Sequence, residues 1–528
     1  MTDNCHSLRG CHSVVCAAVL LLVLLMPPAV GQDSDDAASA VLSIQRALVD
    51  VIERTEGSVV SIARVRYDPS VGGRARLEPF GGGSADFDRD LRNPISPDFV
   101  PNEFGTGVII APFADRPERF VLTNYHVVRG GPPAGDLSKT RDVRLFVRTA
   151  DRRGYYAGIF AADPRSDLAL LTVDADALPE DLAQTKPIPL GDASDVKKGE
   201  FVLVLGNPYA LARDGSASAS WGIVSNISRR PAPAGPTNEA ETYSRETIHH
   251  FGTLLQLDTR MNLGTSGGAL LNLQGKLIGV TTSLAALDGY EKSVGYAIPL
   301  SRPIRRIIDT LARGFEVEYG FLGVRPQDVL PEQMRKISGR FEQTSAAMVQ
   351  TVFPASPAAN GGLRPNDLIL RVDGEPVRDR YELMKRVGEL GPGVETRLSV
   401  WRTAAQRELT LSVKLGKWPV YDDEGIIASR SRYPAWRGLS VDYPTGREKY
   451  LQYPIQYRRA VVVTNVDTQS AVALTEIEPG DFVSHVLVEG EEIPVQTPAG
   501  FHKAVEGRTE EITLRLTDGR QLVVRGMP

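Results

Sequence analysis

Between residues 105 and 300 the sequence breaks into short apolar runs, each closed by turn-forming residues: "GTGVIIA", "RFVLTNYHVV", "VRLFVRT", "LALLTV", "EFVLVLG", "SWGIVSNI", "LLQLD", "GALLNLQGKLIGVTTS" and "VGYAIPL". The runs are rich in Val, Ile, Leu and Thr, too short for buried helices, and hardly a helical pattern separates them. A chain of this kind must stack its sheets or close them on themselves, so the region is expected to be an all-β barrel or sandwich. Helical patterns flank it. "AASAVLSIQRALVDVIER" (37–54) repeats apolar residues at helical spacing before the strand-like "SVVSIARV" (58–65). "SRPIRRIIDTLARG" closes the region as an amphipathic helix, with Pro303 near its start and Gly314 past its end. The Gly/Pro-rich stretch "DPSVGGRARLEPFGGGSADFDRDLRNPISPDFVPNEF" has no periodicity and reads as a long surface loop.

After Gly320 an internal repeat appears. "MVQTVFPASPAANGGLRPNDLILRV" matches "VVTNVDTQSAVALTEIEPGDFVSHV" at an offset of 114: Val352 with Val466, Ser356 with Ser470, Pro365 with Pro479, Asp367 with Asp481. An offset that long marks a tandem domain rather than a solenoid repeat. The chain of 528 residues therefore divides into a β-rich domain (32–316), a first module (317–417), a linker (418–432) and a divergent second module (433–528).

The N-terminus carries Arg9, a 13-residue apolar run (14–26) and then "PPAVGQD", with Ala29 and Gly31 placed as the small residues of a cleavage site. This reads as a secretory signal peptide over 1–31, the run being shorter than the about 20 apolar residues a spanning helix needs. An uncleaved anchor is the competing reading. Cys5, Cys11 and Cys16 all fall inside this segment, so a mature chain has no cysteine for a disulfide or a thiolate metal site. An exported protein of this size without cystines suits a bacterial envelope. Lys+Arg 60 against Asp+Glu 65 gives a net charge of −5 with no long run of one sign, and so no footprint for nucleic acid or anionic lipid.

Chemistry concentrates in "NLGTSGGAL" (262–270), where Ser266 sits among glycines. "GTSGG" fits Gly-x-Ser-x-Gly, but a nucleophile elbow places its acid and histidine after the serine. The only histidines after Ser266 are His485 and His502, in the second module, so chain order excludes that arrangement. The order His, Asp, Ser remains. His126 closes "RFVLTNYHVV" and Asp167 precedes the apolar run of "DPRSDLALL", at spacings of 41 and 99 residues, one strand or loop for each member of a triad. Each residue alone has an ordinary explanation as a packing histidine, a capping aspartate or a turn serine. The ordered combination is what points to nucleophilic catalysis.

"LTNYHVV", "DPRSDLALL" and "NLGTSGGALLNLQGKLIGV", together with "GNPYAL" and "VGYAIP", resemble the motifs of the HtrA/Deg family of exported trypsin-like serine proteases with PDZ domains. The resemblance covers nearly the whole mature chain. It implies a mainly β fold, a two-barrel chymotrypsin/trypsin-like protease domain followed by two PDZ domains. It implies His126 as general base, Asp167 as the group fixing its tautomer and Ser266 as nucleophile, with the N–H groups of Gly264 and Ser266 as the oxyanion hole. No cofactor is called for. Thr265 stands where the family usually has asparagine, and Arg260 where trypsin-type enzymes place the aspartate that receives a basic side chain. Met261 resembles the family's apolar pocket residue, so cleavage after small or medium aliphatic residues is expected.

In the first module "YGFLGV" resembles the PDZ loop that captures a peptide's C-terminal carboxylate, here Phe321, Leu322, Gly323 and Val324. In the second, Arg437 replaces Leu322 and the Gly361–Gly362 pair is missing, which weakens the case for peptide binding there. His249–His250 reads as a surface loop rather than a metal site, since adjacent residues of a strand face opposite ways and no third ligand is evident. The expected protein is a periplasmic or envelope endopeptidase acting on unfolded or misfolded proteins, a homotrimer by resemblance, with no nucleic-acid partner and no membrane span once the signal is removed. A proteolytically silent PDZ chaperone or scaffold is the alternative.

Overall fold

The computed structural model describes residues 32–66, 103–131, 143–173, 185–207, 216–230, 247–259, 261–282, 294–329, 331–335, 343–420, 425–450 and 457–526. The expected signal peptide, Arg260 and most of the Gly/Pro-rich stretch lie outside them. Two compact units make up the chain, residues 1–54 and 55–528. Residues 32–54 of the first belong to the expected N-terminal helix, α1 (Gln32–Thr55). No helix among the described residues is long and apolar enough to cross a membrane.

The β-rich region forms two six-stranded barrels. The first uses β1 (Val59–Arg66), β2 (Glu103–Ile110), β3 (Phe120–Asn124), β4 (Val143–Arg148), β5 (Gly154–Asp163) and β6 (Leu168–Val173). Their order is β5-β4-β1-β2-β3-β6, and β5 also pairs with β6, which closes the ring. Val60, Ile62, Ile109, Val121, Leu145, Val147, Ile159 and Leu171 fill it. Burying each such side chain contributes about 1.5–3 kcal/mol relative to exposure, so the alternating apolar residues determine which face of each strand turns inward. The second barrel, β10-β11-β12-β9-β8-β7, closes from β7 (Phe201–Gly206), β8 (Ser218–Arg229), β9 (Leu254–Leu257), β10 (Ala269–Leu271), β11 (Leu277–Thr282) and β12 (Gly295–Pro299). A one-turn helix, α2 (Tyr125–Val128), interrupts the first barrel after β3. The closing helix α3 (Arg302–Ala312) has proline in its first turn and buries Ile304, Ile307, Ile308 and Leu311.

The two modules repeat one topology. The first is β13 (Gly320–Phe321), β14 (Val324–Asp328), β15 (Ala347–Val352), β16 (Asp367–Val372), β17 (Glu375–Pro376), helix α4 (Arg380–Leu390), β18 (Glu395–Arg402), β19 (Arg407–Lys414) and β20 (Gly416–Lys417). Its main sheet runs β14-β15-β16-β18-β19, with β17 on β16. The connecting segment that follows adds β21 (Ile427–Ala428) to the edge of the first barrel, on β5. The second module, β22 (Leu439–Asp442), β23 (Val461–Val466), β24 (Phe482–Val488), β25 (Glu491–Pro494), helix α5 (Pro498–Val505), β26 (Ile512–Leu516) and β27 (Gln521–Val524), has the order β22-β23-β24-β26-β27, with β25 on β24.

The residues that carried the sequence repeat occupy matching places. Val352 lies opposite Val324 and Val466 opposite Leu439. Asp367 accepts from the Arg364 amide and pairs with Arg402, as Asp481 accepts from the Glu478 amide and pairs with Arg520. The carboxylate closes the turn into the strand by the same local bonds in both copies, which is a reason for its place in both.

Candidate active site

The aspartate turn comes first, because the histidine is built upon it. Asp167 ends a tight turn in which its own amide donates to Pro164 O at 3.2 Å. Its φ of +52° lies in the left-handed region, which Asp and Asn tolerate better than most residues. The Asp167 carbonyl accepts from Asn124 Nδ2 at 3.1 Å and from the Tyr125 amide at 3.0 Å. These bonds tie the end of β3 and the start of α2 to the turn. His126 follows at once. Its amide donates to Asp167 Oδ1 at 3.0 Å, and its Nδ1 lies 3.0 Å from Oδ1 and 2.9 Å from Oδ2.

A carboxylate only accepts, so Nδ1 carries the hydrogen and Nε2 is left as the acceptor, an assignment made from the bonding pattern. Burial works against the charged imidazolium, but the charge and hydrogen bond of Asp167 outweigh it, and the His126 pKa is raised above its ordinary value. Thr282 Oγ1, at the end of β11, donates to Asp167 Oδ2 at 3.4 Å, so the second barrel also reaches the carboxylate. Asp167 is 2% exposed.

The serine turn is held by the same strands that deliver the histidine. Thr106 of β2 donates its amide to Ser266 O at 2.8 Å and its hydroxyl to Gly264 O at 2.6 Å, while Thr123 Oγ1 of β3 donates to Thr106 O at 2.7 Å. From the second barrel, the Gly267 amide donates to Thr281 O at 2.8 Å. Gly264 has φ +95°, and a Cβ there would lie 2.6 Å from Asn207 O and from the Phe104 ring. Only glycine fits that bend.

Thr265 takes part in the turn instead of opposing it. Its amide and its Oγ1 both donate to Asn262 O, at 3.1 and 2.7 Å, and its carbonyl accepts from Thr281 Oγ1 at 2.5 Å. Met261 is half-buried against the core of the second barrel. A Cβ on Gly295 of β12 would lie 3.1 Å from its Cγ, so Met261 gives this wall an apolar surface.

His249–His250 is not a surface loop. The pair lies in a 3₁₀ turn (Ile248–Phe251), with His249 0% exposed. His249 Nε2 lies 2.9 Å from Ser166 O and Nδ1 2.5 Å from Thr253 Oγ1, while His250 Nδ1 caps the turn through the Thr247 amide at 3.1 Å. The strand geometry assumed from sequence was wrong, because three residues per turn let one ring point inward while its neighbour stays at the rim. Thr106, Thr282 and His249 carried no sequence signal. Their roles depend on partners 158, 115 and 83 residues away. Among the described residues no group of three or more His, Cys, Asp or Glu side chains is placed to hold a metal ion.

In the first module the residues Phe321, Leu322, Gly323 and Val324 form a buried bend between β13 and β14. Gly323 (φ +82°) passes hard against Ser356, whose hydroxyl and the Phe353 amide both bond Gly323 O, at 3.1 and 3.0 Å. β14 is an end strand of its sheet. The Phe321 ring stacks on Tyr457 at 5.4 Å. In the second module Arg437 folds inward and donates to the carbonyls of Val524, Arg525, Arg508 and Glu510. The bend that is lined by Leu322 in one copy is thus filled by a bonded guanidinium in the other.

A profile of the trypsin-like peptidase domain matches residues 105–280, and one of the PDZ domain matches 320–415. A probable periplasmic serine endoprotease, DegP-like, of Pseudomonas fulva is 30% identical over 431 residues, 78% of this chain and 79% of that one. Its counterpart in Hahella chejuensis is 30% identical over 486 residues, 89% of this chain and 91% of that one. Among solved structures, an HtrA-type protease AlgW with tripeptide aligns with a TM-score of 0.48 at 23% identity, over 71% of this chain and 99% of that one.

Proposed function

The chain belongs to the DegP-like family of periplasmic serine endoproteases, and on that premise we propose that Ser266 is its nucleophile, His126 its general base and Asp167 the group that holds His126 in the reactive tautomer. Ser266 Oγ attacks the peptide carbonyl carbon while its proton passes to His126 Nε2. The oxygen of the tetrahedral intermediate takes up negative charge against the N–H groups of Gly264 and Ser266. The C–N bond then breaks, the leaving amine takes the proton from His126, and water repeats the sequence on the acyl-enzyme. One observation carries this reading: Asp167 receives both the amide and Nδ1 of His126 and is shielded from water, so Nε2 is left free to accept.

The relatives' names as endoproteases favour hydrolysis over the silent-chaperone alternative. Its substrates are unfolded or misfolded envelope proteins, cut after small or medium aliphatic residues that can lie against Met261. The chain works as a homotrimer, and its first module takes peptide C-termini at Phe321, Leu322, Gly323 and Val324 beside the open strand β14. Digestion of casein by the purified mature protein and by Ser266→Ala, with the cut sites mapped by mass spectrometry, tests both parts. Cleavage should disappear in the variant, falling by at least about 10⁴-fold. Equal rates would remove Ser266 from the mechanism, and dominant cleavage after Lys or Arg would refute the pocket.

A further inference from the structure

His249 has no part in the hydrolytic sequence, yet it is fully buried and tied to the residue before the catalytic aspartate. The Ser166 carbonyl only accepts, so His249 Nε2 carries the hydrogen and donates to it. Nδ1 is then an acceptor and takes the Thr253 hydroxyl. That pattern requires a neutral ring. Burial favours the neutral form, opposed by the bond to Ser166 and by the charge of Asp167, and the pKa is lowered. The charged and titratable groups acting on the ring are Asp167 and Asp163, on the aspartate turn, and His250, on its own turn.

We propose that His249 is a positioning residue for Asp167. The two peptide planes flanking the Asp167 Cα are each held at their oxygen. Asn124 and Tyr125 bond the carbonyl after it, and His249 bonds the carbonyl before it. With both planes fixed, Asp167 keeps its left-handed φ of +52° and its carboxylate faces His126. The amide of Ile248, next to His249, also donates to Arg165 O at 2.8 Å, so the whole 3₁₀ turn backs the aspartate turn. Releasing the Ser166 oxygen leaves the Ser166–Asp167 peptide with the longer bond from the Asp167 amide to Pro164 O, 3.2 Å, and eases its rotation toward the ordinary negative φ, which carries the carboxylate off the imidazole. His249 and Thr253 lie at the entry to β9, so the second barrel supports the acid of the triad as well as the serine.

The inference rests on the triad reading. Its test compares His249→Gln, whose amide N–H can occupy the place of Nε2–H, with His249→Met, which fills similar space without a donor. The readouts are kcat, KM and the pH dependence of kcat/KM on a peptide substrate, with Ser266→Ala alongside. His249→Met should lower kcat about tenfold with little change in KM, the effect of a misplaced catalytic group and a lost hydrogen bond. It should also move the acid limb of the profile to lower pH, as His126 loses the carboxylate that raises its pKa. His249→Gln should restore both.

A wild-type kcat and acid limb in His249→Met overturns the proposal. So does an equal loss in both variants with the acid limb unmoved, since that is a packing effect alone. If His249→Met does not fold, Thr253→Val, which removes the hydroxyl that holds Nδ1, should shift the acid limb the same way, and an unmoved limb there overturns the proposal. Cleavage by Ser266→Ala equal to wild type would instead bring down the triad reading itself.

Discussion

A single methyl group on Gly264 would meet a carbonyl oxygen and an aromatic ring in a backbone conformation that L side chains rarely adopt. Gly264→Ala is therefore expected to turn its peptide away from the oxyanion site and to lower kcat by about 10²–10³-fold, the cost of one lost oxyanion donor. Thermal melting should change far less than kcat, and a variant with wild-type kcat would show that this amide is not used. His126 gives the second prediction at this scale. Its imidazole must be neutral to act as a base, and Asp167 raises its pKa. The rate should therefore fall on the acid side through a midpoint above the about 6.5 of an unperturbed histidine, read from the pH profile of kcat/KM. Asp167→Asn removes the charge that raises the pKa, so in any residual activity that midpoint should move down. His126, Asp167 and Ser266 could be singled out in sequence because each sits in a local pattern tied to a strand end or a glycine bend. Thr106, Thr282 and His249 were not, since an isolated threonine or a doubled histidine has no meaning until the chain brings its partner.

At the scale of elements, the connecting segment between the modules behaves differently from its composition. Residues 418–432 read as a linker. They also place β21 on β5 at Ala161 and Ala162, beyond the stretch that pairs with β4, pack Ile427 against the barrel core and pass Gly425 over the Tyr125 hydroxyl beside Pro164. A two-residue strand has no periodicity to announce it, and only the stretch of β5 that runs on past its pairing with β4 selects it. Tyr125 immediately precedes His126, so Gly425→Ala should push on the helix that delivers the base. The expected result is a fall in kcat of about 10–100-fold, the scale of a small misplacement of a catalytic group, with unchanged peptide binding at the first module. Calorimetric titration of a C-terminal peptide beside single-turnover cleavage separates the two, and unchanged cleavage would show that the segment is only a tether. The barrels, the closing helix and the two copies of one module were by contrast readable from alternation, capping and the 114-residue offset, because those signals are local or repeated.

For the molecule as a whole, a buried cation sits where the connector after α3 meets the two modules. Lys417, 1% exposed, lies 3.0 Å from Glu316 Oε1, 3.4 Å from Glu318 Oε1 and 3.2 Å from Asp442 Oδ1. These carboxylates come from the connector after α3 and from the second module. Arg447 reaches Glu316 at 2.9 Å, and Arg165, on the aspartate turn, reaches the same carboxylate at 3.7 Å. Burial pushes the Glu316 pKa up, but Lys417, Arg447 and Arg165 together hold it well below the usual carboxylate range. Such a group stabilises the fold above its unfolded pKa of about 4.3 and loses that contribution as pH falls. Lys417→Met leaves the carboxylates without their central cation and should cost about 3–5 kcal/mol near neutral pH. The gap in melting temperature between wild type and variant should narrow as pH falls from about 4.3 toward the pKa of about 2 at which the folded Glu316 takes up its proton, because that removes a charge Lys417 neutralises. A gap that does not change with pH would show that Lys417 acts by packing alone.

The sequence by itself determined the strand content, the repeat of the modules, the order of His126, Asp167 and Ser266 and the glycine bend that carries Ser266. Each follows from residue types whose preferences act over a few positions. The tertiary structure decided which distant groups hold those residues in place: Thr106 on the serine turn, Thr282 and His249 behind the aspartate, Lys417 at the joint between domains, and Arg437 filling the bend of the second module. A buried hydrogen bond or ion pair is worth making only where both partners leave water together, and the meeting of residues a hundred positions apart is fixed by how the barrels and sheets close.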